Sequence, residues 1–233
     1  MLINPALRGT LRRQAAAAAL IESTVAMAKS GRPLMTRVVP SEDYRVWDHY
    51  PSEDAVDQVT GSRWFYHAHP PEERDGDEHG HFHLFLERSI FGTAKPIASS
   101  TLKNAAPVVH IAALAIDANG IPRRLFTVNR WVTDEYLFSA EQISAKLNRF
   151  DLTNAADGDE QVNRWLTAAV AVFEPEINAL LTMRDSAIDF NEADFFEDRA
   201  FEILSSTEID LQLAITNSDR LAGIKLPKAK LSS

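Results

Sequence analysis

Two segments in the first half of the chain alternate residue by residue, as β-strands do. Residues 63–69 are rich in aromatic side chains and are bounded by Gly61 and Pro70, which is typical of a strand. Residues 78–87 alternate in the same way. One face of these segments carries Phe65, His67, His69, His79, His81, His83, Phe85 and Glu87. The polar stretch 70–77 between them predicts a hairpin in which the two rows of histidines lie side by side.

A second hairpin is predicted by Asn-Gly at residues 119–120, between two apolar runs, because this dipeptide favours a two-residue hairpin turn. That turn places Leu114 opposite Leu125 and His110 opposite Asn129. Straight alternation puts His110 on the face of Ala112, Leu114 and Ile116. The first strand of this hairpin is apolar on both faces, which indicates an interior position in the sheet.

The N-terminal part of the chain predicts one helix and a connector. Residues 1–30 contain an alanine run and a loose helical period, which favours a packing helix of the fold; the alternative is a cleaved targeting segment. Residues 31–62 are rich in proline and acidic residues. We expect them to form an ordered connector of loops and turns that lies over the sheet.

Helical periodicity returns after residue 131. Ser139 and Gln142 form a capping-box pattern for a helix that reaches about residue 150. Asp157 or Asp159 begins a longer amphipathic helix, and Asn191 begins another through residue 204. Residues 209–215 alternate like a strand, and 225–233 predict a flexible basic tail.

These patterns predict an α+β fold. Its centre is an antiparallel sheet of about four or more strands, built from the hairpins at roughly 63–87 and 108–131 and packed against N-terminal and C-terminal helices. We expect one domain over residues 1–233, with a helical part at 139–207.

Composition narrows the possible functions. The 233 residues carry a net charge of −9, from 24 basic and 33 acidic side chains, which disfavours nucleic acid as a partner. No run of the chain is apolar enough for a membrane span, and we expect a cytoplasmic protein. The absence of cysteine leaves histidine, carboxylate and amide groups as metal ligands.

The histidines indicate a metal site. Five of the seven fall between residues 67 and 83, and within each strand they share a face, as an ion held between neighbouring strands requires. His81 and His83 are the first candidates. With Glu87 they follow the spacing HxHxxxE, which can form a two-histidine, one-carboxylate triad with open positions. The candidate ligands are His67, His69, His81, His83, His110 and Glu87.

The HxHxxxE spacing resembles the first metal motif of the cupin superfamily. In that family a later histidine completes the metal site, and His110 is the only downstream candidate here. The resemblance implies a site geometry and not a fold, because the helical C-terminal half does not supply the strands of a jelly roll. A closer likeness covers residues from about 43 to 150. The strings YHAHP (66–70), EHGHFHLF (78–85) and LFTVNRWVT (125–133) resemble an uncharacterised bacterial family, which implies no reaction.

Four further residues are candidates for supporting the ligands or contacting a substrate: Tyr66, His79, Asn129 and Arg130. The leading hypothesis is a protein that holds one divalent ion, iron or zinc, for oxygenase-like or hydrolytic chemistry on a small molecule. The alternatives are a metal-free pocket that binds a small ligand and a haem-binding protein with one of these histidines as axial ligand. A purely structural role for the histidines is the remaining hypothesis.

Overall fold

The computed structural model describes residues 5–39, 44–102, 107–192 and 194–220. A six-stranded antiparallel sheet lies at its centre, and its strands follow one another in the order β1 to β6. The strands are β1 (Tyr50–Val56), β2 (Arg63–His67), β3 (Glu78–Glu87), β4 (Val108–Asp117), β5 (Pro122–Val128) and β6 (Ile203–Glu208). The α+β prediction and the antiparallel sheet are confirmed.

The helices of the described residues lie before the sheet, between β5 and β6, and after β6. They are α1 (Pro5–Lys29), α2 (Leu34–Val38), α3 (Arg130–Thr133), α4 (Ala140–Ser144), α5 (Glu160–Val172), α6 (Glu174–Ala187) and α7 (Leu211–Arg220). The capping box of Ser139 and Gln142 is present at the start of α4. Asp159 caps α5 by accepting hydrogen bonds from the main chain of Gln161 and Val162. Pro175 lies in the first turn of α6, where the missing N–H costs no helical hydrogen bond.

One face of the sheet is covered by helices. Phe82, Leu84 and Leu86 of β3 are almost fully buried in a core that also contains apolar residues of α1, α5 and α6. Trp64 of β2 donates a 2.7 Å hydrogen bond to the Asn163 side chain in α5. Burial of each large apolar side chain stabilises this face by about 1.5–3 kcal/mol. The predicted histidine row lies on the other face.

Two bulges control which side chains reach that other face. In the pairing of β3 with β4, Glu78 lies opposite Asp117 and Gly80 opposite Ile116, so His79 is an extra residue. Further along, Leu84 lies opposite Ala112 and Phe85 opposite His110, so Ile111 is an extra residue on β4. A bulge reverses the alternation of side chains along its strand.

These bulges correct the predicted faces. Ile111 and Ala112 both pack into the main core, so His110 lies on the side of Ala113 and Ala115 instead of the side of Ala112, Leu114 and Ile116. His79 leaves the histidine face, and its Nδ1 lies 2.6 Å from the hydroxyl of the core residue Tyr66. Uniform alternation was the wrong assumption, because it cannot describe a strand with an inserted residue.

The second hairpin has the predicted pair Leu114–Leu125 but not the predicted turn. The Asp117 N–H bonds the Ile121 carbonyl, and Gly120 has a φ of 81°, so three residues form the loop. Asn129 is not opposite His110. It caps α3 by accepting from the Arg130 N–H, because β5 ends at Val128.

The other corrections concern segments whose local pattern was misleading. Residues 31–62, predicted as a connector, contain α2 and the edge strand β1. The helix predicted from Asn191 to residue 204 is replaced by a short 3₁₀ turn at Phe195–Glu197 and the start of β6, which supplies hydrogen-bond partners to the edge of β5.

Two C-terminal predictions also change. The helix expected from residue 140 to about 150 ends at Ser144 and is followed by a 3₁₀ turn at Leu147–Arg149. Residues 209–215, which alternate like a strand, belong mainly to α7, because the sheet ends with β6. The predicted tail at 225–233 lies outside the described residues. Among the described residues no single helix is long and apolar enough to cross a membrane, and only the pair α5 and α6, bent by 69°, meets that criterion together.

Candidate metal centre

Three histidines from two neighbouring strands meet on the face of the sheet opposite the helix-covered core. His67 lies on β2, directly opposite His81 of β3, and His83 follows two residues later on the same face of β3. One ring nitrogen from each of these residues lies within 4.8 Å of the others. The Nε2 atoms of His67 and His81 are only 2.7 Å apart. We call His67, His81 and His83 the histidine triad; it can hold a metal ion.

Glu78 orients the central histidine of the triad. Its Oε1 lies 2.6 Å from Nδ1 of His81, and Arg124 donates a 3.0 Å hydrogen bond to its Oε2. Burial raises the pKa of Glu78, but the contacts with His81 and Arg124 outweigh this effect and hold the pKa below its usual value. The ionised carboxylate accepts a hydrogen bond from Nδ1 of His81, so the unprotonated nitrogen of this ring is Nε2, which faces His67 and is the atom for a ligand bond.

His110 supports His83 from the next strand. Nδ1 of His83 and Nε2 of His110 lie 3.1 Å apart, so Nε2 of His83 is the nitrogen left for an ion. The main-chain N–H of His110 donates to Oε2 of the buried Glu135 at 2.5 Å. His110 therefore contacts a member of the triad through its ring, while Glu135 fixes its main chain.

Burial keeps His67 and His83 in the neutral form that metal ions require. Burial lowers the pKa of His67 to about 2, and the neighbouring His81, His69 and His49 act in the same direction. The pKa of His83 lies well below its ordinary value, also mainly because of burial. A neutral imidazole presents a lone pair at pH 7, so the triad needs to lose no proton from His67 or His83 before it binds an ion.

A large cavity opens in front of the triad. Its volume is about 800 Å³, and His67, His69, His81 and His83 all contribute to its lining. The centroid of the His69 ring lies 5.2 Å from the ring centroids of His67 and His81 and 4.1 Å from that of Trp47. A cavity of this size accommodates a cofactor-sized or drug-sized molecule. The triad is thus accessible to a small-molecule ligand.

The sequence matches the model of a protein family over residues 14–209, described as "Domain of unknown function (DUF6969)". The chain belongs to this family. The matched span of this DUF6969 protein contains every residue of the site described above. No curated protein and no solved structure matches the chain.

Several candidate residues of the DUF6969 protein lie away from the triad. Glu87 lies at the far end of β3, and its carboxylate is 3.8 Å from the Arg63 guanidinium. Asn129 donates a 2.8 Å hydrogen bond to the Phe195 carbonyl. Arg130 is buried and forms ion pairs with Asp134 and Glu197. Tyr66 and His79 bond each other at the bulge.

Other residues of the site were not among the sequence candidates. Glu78 precedes the histidine row, and only the bulge turns its carboxylate towards His81. Glu135 reaches His110 from the segment after α3. His49, which lies far from the other histidines in the sequence, stacks on Phe65 with ring centroids 3.8 Å apart. Gly80 was the one available signal for Glu78, because an interior glycine in a strand often marks a bulge.

Proposed function

We propose that this protein binds one divalent transition-metal ion through His67, His81 and His83 and uses it in a reaction of a small molecule in the adjacent cavity. The observation that carries the proposal is that ring nitrogens from neighbouring strands face one another. The Nε2 atoms of His67 and His81 are 2.7 Å apart. The bond from Glu78 to the outer nitrogen of His81 supports it, because metal-bound histidines generally have such a partner.

The donor set favours particular ions. Imidazole binds both iron and zinc, and three histidines with an open position form a known catalytic zinc site. A bound zinc ion would supply a water molecule of lowered pKa for hydrolysis. Glu87 is distant from the triad in this structure, which weighs against the two-histidine, one-carboxylate iron site. We therefore favour zinc and hydrolysis over iron and oxygenase-like chemistry. His69 is the candidate for a fourth ligand, because its ring lines the same cavity and its centroid lies 5.2 Å from those of both His67 and His81.

The test is the metal content of tag-free protein, measured by elemental analysis after purification and again after incubation with Zn²⁺ or Fe²⁺. We expect about one ion per chain in the wild type and almost none in the double variant His81→Ala/His83→Ala. His79→Ala is the matched control, because His79 lies on the same strand but bonds Tyr66 instead of facing the triad. It should retain the ion.

Circular dichroism would establish that each variant is folded before its metal content is compared. A double variant with wild-type metal content, or a wild type that takes up no ion, would overturn the proposal. In the second case the cavity itself favours the metal-free binding module, whose ligand affinity should be insensitive to chelators. A Soret band in the visible spectrum would identify the haem alternative.

A further inference from the structure

The lining of the cavity in front of the triad includes apolar side chains that remain exposed. Trp47 is 50% exposed, and Phe201 and Ile203 are each 44% exposed; all three line the cavity that contains the triad. Single exposed apolar residues are common on proteins, but a group of them around a concave polar site is typical of a binding surface.

Trp47 adopts a backbone conformation that tryptophan rarely has. Its φ is 71°, in the left-handed region, where a bulky side chain is strained. Its main-chain N–H donates a 2.9 Å hydrogen bond to the carbonyl of Ala68, the residue directly after β2. The centroid of its ring lies 4.1 Å from that of His69, and the two ring planes are inclined by 34°. The centroid of the His67 ring lies 6.2 Å away, in an edge-on arrangement. The strained backbone thus holds an exposed aromatic plane beside the triad.

Trp131 also lines the cavity, and it is fixed by contacts behind its ring. Its Nε1 donates to the Asp198 carbonyl at 2.9 Å, and Arg199 lies over the ring at 4.1 Å from its centre. The indole is therefore held in place without a ligand. Two tryptophans on the lining of one cavity offer flat, polarisable surfaces, which favour a flat ligand over a branched aliphatic one.

The charge of the cavity restricts the ligand further. The charged residues of its lining are Arg74, Arg124, Glu73, Asp75, Glu78 and Glu202. Two arginines and four carboxylates give these six side chains a net charge of minus two. Arg124 is in addition paired with Asp75 and Glu78. A divalent ion on the triad brings the cavity to neutrality, so neither an anion nor a cation gains a net attraction.

We propose that this cavity binds a planar aromatic molecule of no net charge, with its ring against Trp47 and its polar group towards the histidine triad. The inference rests on the proposed function, because the charge balance includes the ion. It names the substrate class of the same site. The volume of about 800 Å³ admits two or three fused rings.

The test uses three bicyclic probes and the zinc-loaded full-length protein in isothermal titration calorimetry. The probe 2-naphthol is planar and neutral at pH 7, 2-naphthoate is planar and anionic, and decahydro-2-naphthol is neutral but not planar. We expect 2-naphthol to bind about tenfold more tightly than decahydro-2-naphthol, which corresponds to one aromatic stacking contact. It should also bind more tightly than 2-naphthoate, whose carboxylate loses its hydration in a cavity that offers it no net charge. Equal affinity for all three probes, or no binding of 2-naphthol, would overturn the inference.

A variant assigns the contact to Trp47. Trp47→Asn removes the ring, and asparagine tolerates a positive φ, so the fold should be retained. We expect about tenfold weaker binding of 2-naphthol. Phe190→Leu is the control, because Phe190 is 69% exposed and does not line the cavity; its affinity should equal that of the wild type. Unchanged affinity in Trp47→Asn would contradict the inference.

Two measurements separate this inference from the proposed function. The first is the zinc content of Trp47→Asn, which should equal that of the wild type, because the indole contributes no ligand atom. If the wild type binds zinc but not 2-naphthol, only the substrate class is wrong; if it binds no zinc, the proposed function is wrong. The second is quenching of wild-type tryptophan fluorescence by 2-naphthol, which tests contact with the two tryptophans of the cavity, Trp47 and Trp131, without any substitution. No quenching at saturating probe would count against the inference.

Discussion

Glu78 shows how one side chain can determine what a histidine does. The carboxylate bonds Nδ1 of His81 at 2.6 Å, and Arg124 holds its second oxygen at 3.0 Å. The histidine is thereby fixed in both its tautomer and its ring orientation. Without the carboxylate, the same ring could rotate or exchange its proton between the two nitrogens. If the triad holds an ion, its affinity should therefore depend on Glu78, which is not itself a member of the triad.

Replacement of Glu78 by glutamine should weaken metal binding. The amide oxygen still accepts from His81, but the negative charge that strengthens this hydrogen bond is lost. We expect zinc affinity to fall about 10-fold to 100-fold, as for other such partners of metal-bound histidines. The measurement is competition with a chromophoric chelator. Glu72→Gln, in the exposed turn before β3, is the control and should leave the affinity unchanged. A Glu78→Gln affinity equal to that of the wild type would show that this carboxylate does not tune the site.

At the scale of the strands, two bulges build the site. One inserts His79 into β3, and the other inserts Ile111 into β4. The first turns Glu78 towards His81, and the second turns His110 towards His83. Each bulge leaves the apolar rows on either side in the core, so the site gains its supporting residues without loss of packing.

Gly80 makes the first bulge possible. A Cβ at this position would lie 2.5 Å from the Tyr66 hydroxyl and 2.8 Å from Cβ of Ala68, and closer still to the His67 carbonyl oxygen. Gly80→Ala should therefore lower the free energy of unfolding by about 1–3 kcal/mol, measured by urea denaturation. In the control Gly9→Ala, no atom lies within 4 Å of the new Cβ. Because Gly9 is inside α1, the control should gain about 0.5–1 kcal/mol. A Gly80→Ala protein as stable as the wild type would contradict this account of the bulge.

At the scale of the whole molecule, buried titratable groups couple stability to pH from both sides. Burial lowers the pKa of His110 to about 3 and that of His67 to about 2. Below pH 6.5, the ordinary pKa of histidine, these side chains bind protons in the unfolded chain but stay neutral in the folded protein. Stability therefore falls as the pH falls. Glu135 acts in the opposite direction, because burial raises its pKa to about 8. Its stabilising contribution is complete below pH 4.5 and is lost as the pH rises towards 8.

We expect the metal-free protein to be most stable near pH 6.5, with a decline on either side. Glu135→Gln should remove the decline on the alkaline side, because glutamine does not ionise. The stability difference between this variant and the wild type should change by about 1.4 kcal/mol per pH unit between pH 5 and 8, in favour of the variant as the pH rises. Urea denaturation at several pH values in the presence of a chelator measures this difference. A constant difference would mean that Glu135 is not protonated in the folded protein.

Much of this molecule follows from local rules that the sequence displays by itself. The period of two in 63–69 and 78–87 predicts strands, because adjacent side chains of a strand point to opposite faces. It also brings His67, His81 and His83 to one face, as the structure has them. Ser139 with Gln142 and Asp159 mark helix starts for equally local reasons. The sequence thus determined the α+β class, the antiparallel hairpins and the face that the triad shares, while it left His67, His69 and His110 as alternatives beside His81 and His83.

Tertiary structure decided what depends on pairing between distant parts of the chain. A bulge is a mismatch between two strands, so neither β3 nor β4 alone reveals that His79 and Ile111 are inserted. The structure overrides the helical pattern at residue 203 because β5 gains a hydrogen-bonded neighbour there. The carboxylate of Glu135 and the indole of Trp47 reach the histidines only in the folded chain. Local propensity determined the strands and the row of histidines, whereas register and long-range contact determined how these histidines are held.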